Sequence, residues 1–271
     1  LPTQHALSQS YIKHFIAPLN EAGKGVVQVN LLGGPEVTPA DRAPQALQRG
    51  VIDILFIPAA YVSGVVPQAQ SMMLRTVGVE KLHENGAFDL FADIFDDKLD
   101  AHFLAWSETG PGSGYYLYTN KEPAMKDGVV DLSGMSMRTT GAYRPIEEAL
   151  NATTVQIPSG DVPTGLERGV IDGYTSLAIA NLPTFGLAST TPYLVDPGIG
   201  AYASSIVVIN SELLESMPSQ YQDAIGEASG NAITNGLEEM DKLGVEACTD
   251  LRATGAQLAT MPPADPPPTS N

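Results

Sequence analysis

Arg138 is the residue of this sequence whose type and setting most clearly indicate chemistry. It stands in the run MSMRTT, where the apolar neighbours Met135 and Met137 indicate a partly buried position on a short strand. A guanidinium group holds a carboxylate through two parallel hydrogen bonds. A buried charge needs a partner, which is either a ligand or an internal carboxylate such as Asp161 or Glu167. The residues around Arg138 leave both partners open.

Other kinds of chemical site are not indicated. The histidines lack the spacing of a metal site such as H-E-x-x-H, and the glycine-rich run TGPGSGYY at 109–116 lacks the G-K-[ST] of a phosphate-binding loop, so we interpret it as a turn. No G-x-S-x-G elbow occurs, and Cys248 lies in a predicted helix without an evident base. The pairs Glu147-Glu148 and Glu238-Glu239 are expected to be solvated helix faces. We therefore expect no enzyme, no cofactor and no metal.

The composition favours a well-solvated protein that does not bind nucleic acid. The 271 residues include 31 acidic and 14 basic side chains, which gives a net charge of −17. Nucleic acids and anionic membranes both require a basic surface. A hydrophobic content of 43% is sufficient for the core of one large or two modest domains. The single cysteine excludes an intrachain disulfide and carries no information on compartment.

One eight-residue phrase occurs twice in the chain. ALQRGVID begins at residue 46 and GLERGVID at residue 165, with six letters in common. In each copy a helix signal precedes a glycine suited to a left-handed helix end, Gly50 or Gly169, and a short β-branched strand follows. Two such junctions a domain's length apart predict two α/β domains of similar plan. The alternative is coincidence, because RGVID is an ordinary helix-to-strand junction.

The remaining pattern alternates between helices and strands, so the predicted fold class is α/β. We predict helices over 5–22, 80–99, 143–150 and 218–254. We predict strands over 26–32, 102–106, 115–120, 153–158 and 204–210, and a turn followed by a strand over 131–141. The proline-rich tail at 261–271 is predicted to be disordered or a linker.

Several short motifs taken together resemble the DctP-type solute-binding proteins of TRAP (tripartite ATP-independent periplasmic) transporters. The motifs are Thr119-Asn120-Lys121 at a strand end, Asp131-Leu132-x-Gly134 followed by Arg138, and Gly169-Val170-x-Asp172-Gly173. Any one of these motifs alone is weak, whereas their combination is fairly specific. The resemblance extends over nearly the whole chain.

This resemblance implies the type II fold of periplasmic binding proteins, in which two lobes are joined by crossing hinge strands and a long bridging helix. It implies hinge strands over 114–120 and 203–210, a first lobe of 1–120 with 206–235, and a second lobe of 121–205 with 236–260. It also implies a periplasmic receptor, expected to be a monomer, that closes on a small organic acid between its lobes and delivers it to the membrane subunits of a TRAP permease.

The resemblance further narrows the expected ligand. Arg138 occupies the position of the family's carboxylate-binding arginine. The second arginine that sialic-acid binders carry ahead of T-N-K is replaced here by tyrosines, including Tyr115, which favours a monocarboxylate. The Glu-Trp pair of keto-acid binders is replaced by Tyr174 and its neighbours, so the carboxylate that would bridge a metal is absent. Ser176 stands where many members have asparagine, and its hydroxyl can still form hydrogen bonds.

Other ligand contacts are expected around the implied cleft. Tyr61 and Trp106 stand at strand ends, on the edge where α/β sheets bind ligands. Aromatic side chains that carry a polar group suit a ligand with an apolar or cationic body. The remaining candidates are Tyr115, Tyr143, Tyr174, Ser176, Tyr202 and Asp161. The alternative for each aromatic side chain is ordinary packing in the core or at its rim.

Two other functions stay open at this point. A sensor, a scavenger or an ABC-type binding protein would keep the fold and present the ligand to a different partner. An enzyme on the same scaffold would need a nucleophile or an acid–base pair, and the sequence offers neither.

Overall fold

The protein is described by a computed structural model that covers residues 1–73, 75, 77–108, 114–200 and 204–261. Its helices are α1 (Ala6–Tyr11), α2 (Ala17–Ala22), α3 (Ala43–Gln48), α4 (Val79–Glu84), α5 (Ala87–Leu99), α6 (Arg144–Ala149), α7 (Val162–Glu167), α8 (Ser211–Ser216) and α9 (Ser219–Ala253). Its strands are β1 (Ile54–Pro58), β2 (Ala101–Glu108), β3 (Tyr115–Thr119), β4 (Ala124–Lys126), β5 (Val129–Asp131), β6 (Ser136–Thr139), β7 (Thr153–Gln156), β8 (Gly173–Tyr174), β9 (Tyr193–Gly200), β10 (Ser204–Asn210) and β11 (Gln257–Thr260).

The chain folds as two compact units, which confirms the predicted two-domain α/β class. Unit 1 contains Leu1–Tyr115, Ala178–Phe185 and Gly200–Cys248, and unit 2 contains Tyr116–Leu177, Gly186–Ile199 and Thr249–Asn271. The unit boundaries differ from those of the predicted lobes. Residues 116–120 were assigned to the first lobe and belong to unit 2, whereas 178–185 and 236–248 were assigned to the second lobe and belong to unit 1. No helix in the described ranges is long and apolar enough to cross a membrane.

Unit 1 is built on an antiparallel sheet in the order β1-β10-β2. Helix α5 packs on this sheet through a buried face that includes Phe95 and Leu99, because apolar residues three to four positions apart fall on one side of a helix. The predicted helix over 80–99 is two helices, and Gly86 between them has φ 77°. The predicted helix over 5–22 is confirmed as α1 and α2, joined without a break by a π-helical turn at Ile12–Ile16.

The predicted strand over 26–32 is wrong. The segment is irregular, and its apolar side chains Val26, Leu31 and Leu32 are exposed. A strand forms only where a neighbour takes up its backbone hydrogen bonds, and no described strand pairs with this segment. The side chain of Asn20 instead accepts from the N–H of Val29 at 2.6 Å and donates to its carbonyl at 2.9 Å.

The two copies of the repeated phrase form the same junction. Gly50 and Gly169 have φ 65° and 68°, as a left-handed helix end requires. In each copy the glycine N–H donates to the carbonyl three residues earlier, and the next N–H donates to the carbonyl five residues earlier. The first copy continues into the five-residue strand β1, and the second into β8, which has only two residues. The six shared residues therefore determine the conformation of the helix end and do not determine the length of the strand that follows it.

Unit 2 contains a mixed sheet in the order β11-β9-β3-β8-β6-β7. Strand β6 runs parallel to both β7 and β8, with Arg138 level with Val155 on one side and Tyr174 on the other. Leu117, Leu132 and Met137 form part of the core beside this sheet. The arginine therefore lies inside the sheet, between two parallel neighbours.

Helix α9 confirms the long helix predicted near the end of the chain. It runs for 35 residues without a break, although it contains four glycines. Glycine costs a helix interior about 1 kcal/mol relative to alanine, so packing has to offset this cost. Its buried side chains include Ile225, Ser229 and Met240.

Replacement of Gly173 by alanine is expected to destabilise the protein by about 2 kcal/mol, because the added methyl group overpacks a closed position. Its Cβ would collide with the carbonyl oxygen of Tyr118 and lie 2.7 Å from Cε of Met137. Gly141→Ala is the matched control, since nothing lies within 4 Å of its added Cβ. Urea unfolding of both variants measures the effect, and equal unfolding free energies would contradict the close approach at Gly173.

Candidate functional site

The guanidinium group of Arg138 is buried and held by main-chain oxygens. The residue is 1% exposed, which confirms the burial that its methionine neighbours indicated. Its Nε donates to the carbonyl of Ile157 at 3.0 Å, and its Nη1 donates to the carbonyls of Thr175 at 2.9 Å and Ser176 at 3.2 Å. These three acceptors are neutral main-chain oxygens, and they fix the orientation of the guanidinium group. The arrangement suits a site that binds an anion.

The loop after β8 is shaped to present two of these carbonyls. Ser176 has φ 58°, a left-handed conformation that is uncommon for any residue other than glycine. Its Oγ lies 2.9 Å from Oγ1 of Thr140, in the loop after β6. The left-handed residue places the carbonyls of Thr175 and Ser176 within reach of the same nitrogen of Arg138. Backbone conformations of this kind are often found at functional sites.

The predicted exposure of Glu147 is wrong. It was expected on a solvated helix face, but its side chain is fully buried, whereas its neighbour Glu148 is exposed. Oε1 of Glu147 accepts from Oγ1 of Thr175 at 2.7 Å, and Oε2 is buried with no hydrogen-bond partner among the described residues. Adjacent helix residues face directions about 100° apart, so one of such a pair can be buried while the other is exposed.

The environment of Glu147 acts on its ionisation in two opposite directions. Burial raises the pKa of its carboxyl above the ordinary value of 4.5, because desolvation penalises the charged form. The nearby hydroxyls of Thr139 and Thr175, and the positive charges of Arg138 and Arg144, oppose this rise without cancelling it. The carboxyl of Glu147 therefore belongs to the electrostatic environment of Arg138.

An ion pair connects the other sequence motifs of unit 2. Oδ1 of Asp172, in the second copy of the phrase, lies 2.5 Å from Nζ of Lys121, and its Oδ2 accepts from the N–H of Ser136 at 3.0 Å. Burial alone would raise the pKa of Asp172, but these partners lower it overall. The main-chain N–H of Asn120 also donates to the carbonyl of Asp172. The motif residues thus join the ends of β3, β6 and β8 and fix the strand that carries Arg138.

Unit 1 contains a second cluster of candidate residues around Trp106. This tryptophan lies within β2 rather than after it, and it is 1% exposed. Its Nε1 is buried and has no hydrogen-bond partner. The guanidinium carbon of Arg75 lies 5.4 Å from the centre of its ring, and Nε of Arg75 donates to Oγ of Ser204 at 3.2 Å. The cluster therefore combines a cation, an aromatic ring and a buried N–H donor.

The other predicted ligand residues lie in different secondary-structure elements or outside the described residues. Tyr61 is half-buried in the 3-10 turn Ala59–Val62, and Tyr115 is half-buried at the start of β3. Asp161 is exposed, immediately before α7, and its side chain caps no helix N–H. Tyr202 lies outside the described residues, as do residues 109–113 of the glycine-rich run and residues 262–271 of the tail.

Tyr174 and Tyr143 pack inside unit 2. Tyr174 is fully buried, stacks on Tyr118 with ring centres 4.8 Å apart, and shares a hydrogen bond of 3.0 Å with Oγ1 of Thr191. Burial raises the pKa of both the Tyr174 and the Tyr143 hydroxyls. Because the hydroxyl of Tyr174 is used internally, the polar group expected to contact a ligand is already engaged. Tyr174 is therefore packed as a core residue, which was the alternative to a ligand contact.

Sequence reasoning missed Glu147 and Arg75. A signal for Glu147 is present, because Tyr143, Glu147 and Leu150 follow the spacing of one helix face and both neighbours can be buried. Arg75 has no comparable signal. It lies between a 3-10 turn and α4, and only the tertiary fold brings it over Trp106.

No group of three or more histidine, cysteine or acidic side chains in the described ranges is arranged to hold a metal ion. The polar groups gathered around Arg138 are hydroxyls, main-chain carbonyls and one buried carboxyl. This set is suited to binding an anion by hydrogen bonds and charge.

Residues 2–269 match the DctP family, whose description is "Bacterial extracellular solute-binding protein, family 7". Two curated proteins are similar to the chain. One is a monocarboxylate 2-oxoacid-binding periplasmic protein of Nostoc, 22% identical over 88% of this chain and 66% of its own length. The other is the ectoine-binding periplasmic protein TeaA of Halomonas elongata, 21% identical over 86% of this chain and 68% of its own length. The chain thus spans about two thirds of these relatives.

Two solved structures show the same fold at low sequence identity. DctP7 of Bordetella pertussis, an extracytoplasmic solute receptor that binds pyroglutamic acid, has a TM-score of 0.82 at 18% identity, with 97% of this chain and 85% of that chain covered. A TRAP periplasmic solute-binding protein of Chromohalobacter salexigens with bound D-glucuronate has a TM-score of 0.82 at 16% identity, with 96% and 86% covered.

Replacement of Glu147 by glutamine is expected to stabilise the protein at neutral pH. The pKa of Glu147 is raised in the folded state, so its contribution to stability is fully present below the unfolded value and is lost as pH rises through the folded value. Glutamine stays neutral and avoids this loss. The gain in unfolding free energy should therefore be small near pH 4 and larger at pH 7.

Urea unfolding across this pH range measures the difference, with Glu148→Gln as the exposed control on the same helix. A gain for Glu147→Gln that is the same at both ends of the range would contradict the assignment.

Proposed function

The chain belongs to the DctP family of bacterial extracellular solute-binding proteins, and from this premise we propose that it binds a small monocarboxylate through Arg138. Members of this family are the periplasmic solute receptors of TRAP transporters, so the protein is a transport protein and not an enzyme. The proposal includes delivery of the bound acid to the membrane subunits of a TRAP permease.

The observation that carries the proposal is the fixed, buried guanidinium group of Arg138. Carbonyl oxygens accept from its Nε and Nη1 and hold the group in one orientation. A ligand carboxylate would accept from this oriented guanidinium group. In a buried setting such a charge-assisted bond is stronger than in water, because the local dielectric constant is lower. The hydroxyls of Ser176 and Thr140, which lie 2.9 Å apart, are proposed to bind a second ligand oxygen.

The ligands of related proteins support a monocarboxylate. The solved relatives include receptors with bound pyroglutamic acid, D-glucuronate and orotic acid, each of which carries one carboxyl group. A curated relative binds monocarboxylate 2-oxoacids. Tyrosines, including Tyr115, stand in place of the second arginine that sialic-acid binders carry, which agrees with this ligand class.

Within unit 1, Trp106 is proposed as a residue that can bind a ligand. An indole N–H that is buried without a partner costs about 1–3 kcal/mol, and a ligand oxygen would relieve this cost. We also propose that binding favours a closed form by hinge closure, as the sequence resemblance implies, since a ligand shifts such an equilibrium only through better contacts in one state.

Replacement of Arg138 by glutamine is expected to weaken binding of the acid about 100-fold or more, as for loss of a buried charge partner. The first step is a thermal-shift screen with D-glucuronate, L-pyroglutamate, orotate, 2-oxoacids and ectoine, because a bound ligand raises the melting temperature. Calorimetry then compares the wild type with Arg138→Gln and with Arg168→Gln, whose arginine is exposed in the same unit. An unchanged dissociation constant for Arg138→Gln would reject the role of this residue.

Matched acids separate one carboxylate from two. We expect D-glucuronate to bind more tightly than D-glucarate, and pyruvate more tightly than oxaloacetate, because the second carboxylate would have to be desolvated without the second arginine that sialic-acid binders carry. Competition in the thermal-shift assay measures both pairs. Tighter binding of the dicarboxylate in either pair would contradict the monocarboxylate class.

A further inference from the structure

Glu147 is a buried charged group that the proposed binding mechanism has not yet used. Its side chain is fully buried in unit 2, and one of its two carboxyl oxygens has no hydrogen-bond partner in the described part of the chain. Buried carboxyl groups are rare unless they are paired, and each unsatisfied buried polar atom requires an explanation. Such a group lowers stability when ionised, so its presence beside Arg138 indicates a role in the site.

A single residue connects Glu147 to Arg138. The hydroxyl of Thr175 donates to Oε1 of Glu147 at 2.7 Å, while the carbonyl of the same residue accepts from Nη1 of Arg138 at 2.9 Å. The next residue, Ser176, also accepts from Nη1 through its carbonyl, and its hydroxyl lies 3.3 Å from that of Thr175. Glu147 therefore holds the loop segment that in turn holds the guanidinium.

The charged groups near Glu147 come from two elements. Strand β6 contributes Arg138, and the helix of Glu147 itself contributes Arg144, whose Nη2 donates to Gln156 at 3.2 Å. Strand β7, which packs against this helix, carries no charged residue. The hydroxyls of Thr139 and Thr175 complete the surroundings. The ionised form of Glu147 thus depends in part on the positive charge of Arg138.

We propose that Glu147 is a positioning residue of the anion site that balances the charge of Arg138 when the site is empty and takes a proton from water when a ligand carboxylate binds there. The inference rests on the proposed function of Arg138. A bound carboxylate neutralises the cation that favours ionised Glu147 and adds a negative charge nearby. Both effects favour the protonated carboxyl, whose oxygen still accepts from Thr175.

Linkage makes this coupling reciprocal. If binding of the acid takes up a proton at Glu147, then protonation of Glu147 must tighten binding of the acid by the same factor. Affinity should therefore increase as pH falls through the titration of Glu147. A neutral glutamine at this position should bind the acid more tightly than the wild type and lose the pH dependence.

The first test needs no ligand. The carboxyl carbon resonance of Glu147, assigned by its loss in Glu147→Gln, is titrated by NMR in the wild type and in Arg138→Gln. Loss of the cation should raise the pKa of Glu147 further, because the positive charge of Arg138 opposes the rise caused by burial, whereas Arg168→Gln should leave it unchanged. Arg138→Lys keeps the charge and should stay close to the wild type. Equal values in the wild type and Arg138→Gln would overturn the inference.

The second test covers the case in which Arg138→Gln does not fold. Calorimetry with D-glucuronate and L-pyroglutamate in two buffers of different ionisation enthalpy counts the protons taken up on binding, between about pH 5 and pH 8. Uptake should occur in the wild type and in Glu148→Gln and be absent in Glu147→Gln, which should bind up to about tenfold more tightly. Glu147→Leu removes the acceptor of Thr175 and should bind more weakly.

The outcomes separate the two proposals. Binding that requires Arg138 but takes up the same number of protons in Glu147→Gln would overturn the role of Glu147 and leave the function intact. Weaker binding by Glu147→Gln at every pH would also overturn it. Failure of every acid in the screen to bind would overturn the proposed function and this inference together.

Discussion

The hydrogen bonds between Arg138 and three main-chain carbonyls are the interaction on which the site depends. A buried guanidinium group needs oriented partners, and these neutral carbonyls orient it. The carbonyls come from the residue after β7 and from the loop after β8, on either side of the strand that carries the arginine. The parallel order β8-β6-β7 is therefore a requirement of the site, because parallel strands bring these ends together at one edge.

The two copies of the repeated phrase have the same helix end but lead into different structures. After the first copy the chain continues as ILFIP, and all five residues pair with β10. After the second copy it continues as GYTS, and the strand ends after two residues. Gly173 allows the close approach of the Tyr118 carbonyl, and Ser176 adopts a left-handed conformation. The residues that follow the shared letters thus decide whether the chain forms a structural strand or the loop that holds Arg138.

Sequence reasoning succeeded where a local pattern determines the structure. The methionines beside Arg138 predicted its burial, and the glycines of the repeat predicted left-handed helix ends. It failed where the outcome depends on a distant partner. The run VVQVNLL has the residues of a strand, but no described strand pairs with it. Arg75 meets Trp106 only in the folded chain. Glu147 was misassigned because a charged residue is usually exposed, and its position on a helix face with Tyr143 was not weighed against that tendency.

The acidity of the protein makes the buried position of Arg138 necessary for binding an acid. A net charge of −17 repels carboxylates at long range, although salt at physiological strength limits this repulsion to about 8 Å. Long-range steering therefore cannot recruit the ligand, in contrast to proteins that collect anions on a basic surface. The attraction must come from a cation at contact distance, in surroundings where the dielectric constant is low. In the proposed binding, the buried arginine fixed by carbonyls would supply that attraction, and a neighbouring carboxyl group that loses its charge would reduce the local repulsion.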